Sequence, residues 1–251
     1  EIDKKDVFAA DYYGKLMEAY GDAEVYKLFE RSILSSIESS DDIVKEAKSQ
    51  AELIKKNISA QNGAAGLDQL EDALISMGYK GLDDLEVLYQ DMTKREVIVG
   101  DYLEAHYDDY VKGYADAYKP RTVSHILIKM DNPTEPSEAE QEKLDKIDAA
   151  LKEGKDFGEV AMEFSEDENT APEKGSLGYM DANTEYEPTF LDAAMKTETG
   201  KVSEWVTTNY GRHLIHVDST DFKDFKSDGQ FIMNITKVQP KALYNAIWEK
   251  G

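Results

Sequence analysis

The first half of the chain repeats hydrophobic residues at the spacing of amphipathic helices, and residues 6–118 are predicted to be helical almost throughout. Asp41 or Asp42 is predicted to cap one helix, and Asp83 another. The Asn-Gly-Ala-Ala-Gly stretch at 62–66 should interrupt the longest helical pattern. The hydrophobic stripes consist of Val25, Leu28, Phe29 and Ile33, then Ile43, Ala47, Ala51, Ile54 and Ile58, and later Val99, Tyr102, Leu103, His106, Tyr107 and Tyr110.

The pattern changes after Pro120, where residues 121–129 alternate between two faces like a β-strand. One face carries Val123, His125 and Leu127, and the other carries Ser124, Ile126 and Ile128. Further strands are predicted at 177–179, 205–206 and 213–217, and helices are predicted to begin at the Ser137–Glu140 capping box, at Asp156 and at Phe190. The order β-α-α-β-α-β-β predicts an α+β domain with a small four-stranded sheet.

The C-terminal segment contains two further patterns. Phe231 to Val238 alternates in the manner of a strand, whereas Pro240 begins an amphipathic helix with Leu243, Ile247 and Trp248 on one face. A helix this short is marginal alone, so we expect it to pack on the N-terminal helices. The predicted organisation is a helical region at 1–119, an α+β domain at 120–220 inserted into it, and a C-terminal segment at 221–251 that completes the helical region.

Charge and composition exclude several classes of binding partner and of functional site. The formal net charge is −23, with 26 acidic and 14 basic residues in 1–120 and 22 and 10 in 121–220, so each of these segments contributes −12. Such a surface repels nucleic acid and anionic lipid. The absence of cysteine excludes disulfides, zinc–thiolate sites and thiol nucleophiles. No apolar run approaches the ~20 residues of a membrane span. The start at Glu1 indicates a missing upstream piece, which could have held a signal or an anchor.

Six blocks between residues 121 and 220 occur in an order and spacing that resemble parvulin-type peptidyl-prolyl isomerase domains. They are V-S-H-I-L-I, F-S-E-D, G-S-L-G-Y, E-P-T-F-L-D-A-A, T-G-K-V-S-E-W-V and Y-G-R-H-L-I-H-V. With helical flanks on both sides, the chain also resembles the PrsA-type extracytoplasmic foldases. Rotating an X-Pro amide breaks no covalent bond, so this chemistry requires an apolar pocket and a few polar groups, but no nucleophile.

The resemblance places two of the four histidines, His125 and His213, side by side on adjacent central strands beneath the pocket. Two imidazoles can hydrogen-bond to each other only if one donates and the other accepts, which would fix their tautomers. The alternative interpretation is that each is a satisfied core histidine without catalytic contact. His106 is interpreted as a packing residue on its helix, and His216 as a surface or flank residue.

The resemblance also assigns residues to the substrate pocket. Asp167 falls beside the rotating amide, Phe190 in the aromatic wall and Tyr186 in the floor, while Thr208 and Tyr210 flank the last turn and would face the substrate. Leu177 is interpreted as a core residue. Without the resemblance, Asp167 would be interpreted as one acid of a solvated loop. Because this loop is predicted to be exposed, Asp167→Ala should change stability by no more than ~0.5 kcal/mol while still lowering kcat/KM.

The sequence departs from the family pattern at one block, and a second segment restricts the expected substrates. The family's Gly-Gly-Asp-Leu-Gly block is Lys174-Gly175-Ser176-Leu177-Gly178 here, so one glycine and the aspartate are missing, which leaves the loop shape and the catalytic rate open. The loop from Lys129 to Lys143 lacks the cluster of Arg and Lys that would bind a phosphate, so phosphoserine-proline specificity is not expected.

The resemblance therefore implies a peptidyl-prolyl isomerase and foldase for unfolded or partly folded exported proteins. It would act at the cell surface outside the cytoplasmic membrane, held there by an upstream lipid anchor, with no cofactor, no nucleic-acid partner and room for a homodimer. No metal is expected, because the run Glu166–Glu168 does not have EF-hand spacing. Two alternatives stay open: a holdase whose parvulin fold is weakly active or inactive, and an acidic interaction scaffold.

Overall fold

The computed structural model describes residues 22–250, which divide into two compact units. Among these residues, the first unit comprises 22–99 and 243–250, and the second comprises 100–242. Residues 6–21 of the predicted helical region lie outside the described residues. No helix within 22–250 has the length and apolarity that crossing a bilayer would require.

The first unit begins with helices α1 (Asp22–Ser36) and α2 (Asp41–Ser76). Ser40 caps α2 by accepting a hydrogen bond from the Ile43 backbone N–H at 3.3 Å, so the predicted cap at Asp41 or Asp42 is one residue or two too late. The predicted interruption is a kink at Gly63, where φ is 63°. One buried cluster of this unit consists of Ala51 and Leu74 of α2 together with Tyr79 and Leu85, which follow it in the chain.

Helix α3 (Leu85–Ala105) follows a 3-10 turn at Leu82–Asp84. Asp83 lies inside this turn, so its prediction as a helix cap is wrong; the neighbouring Asp84 carboxylate instead accepts from the Lys80 backbone N–H at 2.8 Å. The last helix of the chain, α10 (Pro240–Lys250), begins at the predicted proline.

Ring contacts join α10 to α1 within the first unit. The ring centroids of Phe29 and Trp248 are 5.3 Å apart, and those of Tyr26 and Tyr244 are also 5.3 Å apart. The buried face of α10 consists of Ala242, Ala246 and Ile247, whereas Trp248, predicted on this face, is 61% exposed.

The second unit contains a four-stranded antiparallel sheet in the order β2-β1-β4-β3, as the α+β prediction requires. Its strands are β1 (Arg121–Lys129), β2 (Ser176–Met180), β3 (Val206–Thr208) and β4 (Gly211–Ser219). Trp205, predicted within the third strand, lies just before it, and its indole N–H donates to Asp148 Oδ1 at 2.9 Å.

The two faces of the sheet bury different clusters, which follow the predicted alternation of β1. Ile126, Ile128 and Leu214 pack under helices α6 (Glu138–Lys152) and α7 (Phe157–Phe164). The capping box of α6 and the Asp156 cap of α7 are both present. The opposite face packs against helix α8 (Pro188–Lys196) and contains Val123, Met180, Phe190, Ala194, Val206 and Ile215.

Three shorter or later helices complete the second unit: α4 (Tyr107–Tyr110), α5 (Lys112–Tyr118) and α9 (Gly229–Val238). The strand-like interpretation of 231–238 is wrong, because this segment is helix α9, capped by Asp228. The hydrophobic residues of this segment fit a helical face as well as an alternating strand. The buried residues are Phe231, Ile232 and Ile235, whose spacing is that of a helix.

The bounds of the second unit differ from the predicted bounds at 119/120 and 220/221. The hydroxyls of Tyr114 in α5 and Tyr179 in β2 both donate to buried Asp181 and lie 3.2 Å apart. Phe231 of α9 packs edge-on against both tyrosines, with ring centroids 5.9 Å and 5.7 Å away. These contacts attach α5 and α9 to the edge of the sheet.

Candidate active site

The floor of the site consists of two histidines on the two central strands. His125 of β1 and His213 of β4 are each only 5% exposed, and their rings stack at 18° with centroids 5.6 Å apart. Both side chains point to the face that α8 covers. Because α8 has only nine residues, it covers part of this face and leaves the His125–Lys129 end of the strand beside an open pocket.

Hydrogen bonds determine the tautomers of both imidazoles. Asp167 Oδ2 lies 2.8 Å from His125 Nε2, and a carboxylate can only accept, so Nε2 carries the proton. His125 Nδ1 must then accept from His213 Nδ1, at a long 3.4 Å. His213 Nε2 in turn accepts from the Thr208 hydroxyl at 2.8 Å, and Thr208 Oγ1 accepts from the Tyr210 N–H at 3.1 Å. The pair of histidines is therefore part of a chain of hydrogen bonds that runs from the Tyr210 N–H through Thr208, His213 and His125 to Asp167.

The environment keeps both histidines neutral and Asp167 charged. Burial lowers the pKa of His213 to about 4, and the neighbouring His125 contributes in the same direction. Burial also lowers the pKa of His125, against the opposing effect of Asp167. For Asp167, burial opposes the charge, but hydrogen bonds from Thr170, His125 and the Asn169 N–H lower its pKa overall. The His125–Asp167 contact is thus a hydrogen bond of a neutral imidazole to a carboxylate.

Asp167 is held in place, contrary to the interpretation of a solvated acidic loop. Its side chain is only 20% exposed, and its oxygens accept from the Thr170 hydroxyl at 2.8 Å and the Asn169 N–H at 3.2 Å as well as from His125. The preceding residue fastens the loop to β1, since the Glu166 N–H donates to Leu127 O at 2.8 Å. Thr170 was not predicted as a site residue; its position three residues after Asp167, where an Asp side chain commonly receives such bonds, was the available signal.

Aromatic rings form the wall above the histidines. The Phe190 ring stands edge-on to His125 and His213, with centroids 5.8 Å and 5.2 Å away, and Tyr186 lies over Phe190 at 5.4 Å. They enclose a cavity of about 500 Å³. All seven residues predicted for the site line this cavity: His125, Asp167, Tyr186, Phe190, Thr208, Tyr210 and His213. Residues that were not predicted for it are Leu127, Lys129, Asn169, Leu177, Glu185 and Glu187.

Leu177 has two roles, because it lines the cavity and also packs against the core cluster around Phe190. The charged groups that line the cavity are negative in balance, with the carboxylates of Asp167, Glu185 and Glu187 against the single ammonium of Lys129. Such a lining attracts cationic and repels anionic groups.

The altered block at 174–178 supports the floor of the site. Gly175 O accepts from the His125 N–H at 2.8 Å, and a Cβ at Gly175 would lie 2.3 Å from His125 O. Lys174, where the family has a glycine, adopts the left-handed conformation with φ of 57°. The Ser176 hydroxyl, where the family has an aspartate, accepts from the Gly178 N–H at 3.3 Å. The block therefore joins a turn at 174–175 to the start of β2 despite both departures.

Comparison with known families agrees with this geometry. Residues 112–221 match the family described as the PPIC-type PPIase domain. This part of the chain belongs to the PPIC-type peptidyl-prolyl isomerase (PPIase) family. The match begins in α5 and contains every residue of the cavity described above. The parvulin resemblance of the six sequence blocks is therefore confirmed.

Similarity to foldases extends beyond the PPIase domain. The chain is 31% identical over 145 residues to the foldase protein PrsA of Geobacillus sp., covering 56% of this chain and 49% of that protein. It is 26% identical over 242 residues to the foldase protein PrsA of Geobacillus kaustophilus, covering 94% of this chain and 77% of that protein. The crystal structure of Bacillus subtilis PrsA has the same fold, with a TM-score of 0.50 at 22% identity over 99% of this chain and 89% of that one. The chain thus spans about half the length of the first relative and about three quarters of the second.

Proposed function

We propose that this protein is a peptidyl-prolyl cis-trans isomerase that assists the folding of exported proteins, with the PPIase domain as its catalytic part. The observation that carries the proposal is the aromatic cavity above two neutral, hydrogen-bonded histidines with the Asp167 carboxylate at its edge. Its substrates are X-Pro segments of unfolded or partly folded polypeptides, and the reaction requires no cofactor.

The cavity favours the twisted amide over the planar one. Phe190 and Tyr186 receive the proline ring and keep water from the amide carbonyl, which removes solvation that stabilises the planar, charge-separated form. A planar amide carries more negative charge on its oxygen than a twisted amide does. The fixed charge of Asp167 near this oxygen therefore raises the energy of the planar form relative to the transition state. Asp167, His125 and His213 are the residues we propose as catalytic or positioning groups.

The histidines are better suited to positioning than to proton transfer. Both are buried and their hydrogen-bond sites are directed at Asp167, at Thr208 and at each other. Their proposed task is to hold Asp167 on one side of the cavity and the 208–210 turn on the other. Tyr186, Phe190, Thr208 and Tyr210 are the residues we propose to contact the substrate.

Refolding kinetics test the proposal against a holdase without isomerase activity. We expect catalytic amounts of the full chain to accelerate the slow refolding phase of a protein that is limited by X-Pro isomerisation, a process of 10–100 s at 25 °C without catalyst. Suppressed aggregation with an unchanged slow phase would instead favour the holdase, and no effect on either would favour the acidic scaffold.

We propose that the protein acts outside the cytoplasmic membrane. The similarity to PrsA foldases supports a site of action outside the cytoplasmic membrane. Lipid anchoring and homodimer formation stay predictions. Fractionation of cells that produce the complete protein would test the location, and light scattering of the purified chain would test the dimer.

A further inference from the structure

A second cavity adjoins the proline pocket within the 100–242 unit. Its volume is about 630 Å³, and it shares two lining residues, Glu185 and Tyr186, with the pocket above the histidines. The two cavities therefore lie on either side of one short ridge. The proposed catalytic groups Asp167, His125 and His213 do not line the second cavity, so the isomerase chemistry leaves it unused.

Amide side chains project into this cavity from two directions. Gln230 and Asn234 lie one turn apart on α9, with Lys237 a further turn along, and Asn183 faces them from the loop after β2. Tyr118 contributes an aromatic surface from α5. With Tyr114 and Tyr186, the lining thus combines neutral donors and acceptors with three tyrosine rings and one charge of each sign, from Lys237 and Glu185.

A buried carboxylate fixes the orientation of the amides. Asp181 is fully buried and accepts from Asn234 Nδ2 at 3.1 Å, as well as from the hydroxyl of Tyr179 at 2.7 Å. Asn234 Oδ1 in turn accepts from Gln230 Nε2 at 2.9 Å. Gln230 Oε1 has no hydrogen-bond partner within residues 22–250, so it offers a positioned acceptor to a ligand. Pre-orientation of this kind lowers the entropy cost of binding.

We propose that this cavity is a second subsite, which binds the backbone of the client polypeptide next to the X-Pro bond; the proposal rests on the isomerase function. A polypeptide backbone alternates N–H donors and C=O acceptors, and fixed amide side chains can satisfy both. Neutral amides select no particular side chain, which suits unfolded clients of varied sequence. The shared ridge of Glu185 and Tyr186 lets one extended segment occupy both cavities.

Peptides of two lengths test the subsite with the full chain. The probes are a fluorescent four-residue peptide that contains Ala-Pro and a fluorescent ten-residue peptide with Ala-Pro at its centre. The test variant carries the two substitutions Gln230→Ala and Lys237→Ala. Both residues line the cavity and are exposed, so their replacement should leave the fold intact. The matched control is Met233→Ala and Lys241→Ala, which changes exposed residues in or beside the same helix that do not line the cavity. Thermal unfolding checks that all three proteins are folded.

We expect the test variant to raise the Kd of the long peptide by about fivefold or more, the effect of losing one or more hydrogen bonds, and to leave the short peptide unchanged. The control should bind both peptides like the parent. An unchanged Kd for the long peptide, or an equal loss for both lengths, would overturn the subsite. If the parent shows no isomerase activity but the test variant still binds the long peptide more weakly than the parent does, only the isomerase function is contradicted. If the parent binds neither peptide, both the isomerase function and the subsite are contradicted.

Discussion

The hydrogen bond between His125 Nε2 and Asp167 Oδ2 joins a buried imidazole to the loop that follows α7. Replacing Asp167 by Ala would leave a buried N–H with the weaker Thr170 contact at 3.1 Å. We therefore expect Asp167→Ala to lower the free energy of unfolding by about 1–3 kcal/mol, the usual cost of a buried unsatisfied group. Chemical denaturation of the full chain measures this change.

Glu168→Ala is the matched control, because Glu168 is the exposed acid next in sequence. It should change stability by no more than ~0.5 kcal/mol. If both variants were equally stable, Thr170 alone would satisfy His125, and the loop would not depend on the Asp167 carboxylate.

The lowered pKa of His213 has a consequence for the pH dependence of stability. Its folded-state pKa of about 4 lies below the ordinary 6.5, so the unfolded chain binds the proton more readily between these pH values. The stabilisation of the folded state that depends on neutral His213 is thus fully present above pH 6.5 and is lost as the pH falls towards 4. NMR titration of the imidazole resonances should give an apparent pKa well below 6 for His213, whereas a value at or above 6.5 would exclude the buried neutral pair.

At the scale of elements, the turn before β2 and β2 itself offer a matched pair of glycines. Gly175 and Gly178 both have positive φ, 79° and 68°, but a Cβ at Gly175 would meet the His125 carbonyl, while nothing lies within 4 Å of one at Gly178. Gly178→Ala should cost about 1–2 kcal/mol, the penalty of the left-handed conformation alone. Gly175→Ala should cost clearly more and reduce isomerase activity, because β1 must move away from the turn. Equal unfolding free energies for the two variants would contradict the close packing of this turn on His125.

The regular elements of the sheet and its helices could be predicted from sequence, because period-2 alternation and side-chain caps such as Ser137 and Asp156 act locally. The same reasoning failed for 231–238, since a segment with adjacent buried residues fits either period. It also missed that Lys174 could adopt the glycine conformation, which depends on the packing of the turn rather than on residue type.

The candidate site was predictable only through the family resemblance. His125 and His213 are 88 positions apart, and no local pattern shows that strands β1 and β4 are neighbours. Glu185 and Glu187 of the cavity lining, and Thr170 behind Asp167, come from segments between the regular elements, so their places could not be inferred from spacing alone.

At the scale of the whole molecule, charge should select among substrates. The net charge is −23, and the lining of the pocket carries three carboxylates against one ammonium. We expect a higher kcat/KM for a proline peptide flanked by Lys than for the same peptide flanked by Glu. The difference should shrink with added salt, because screening shortens to ~10 Å at 0.1 M and ~3 Å at 1 M. Equal kcat/KM values at low salt would show that the acidic surface does not contribute to recognition.

Exchange NMR of a four-residue Ala-Pro peptide is the most direct test of the isomerase site, since it reports cis–trans rotation without a coupled reaction. Catalytic amounts of the parent chain should accelerate the exchange well above the uncatalysed rate, and Glu168→Ala should do the same. Asp167→Ala, measured under conditions where it is folded, should lose about tenfold or more, because a single electrostatic group near the reacting amide is worth at least ~1.4 kcal/mol. No acceleration by the parent, or full activity in Asp167→Ala, would contradict the proposed role of this site.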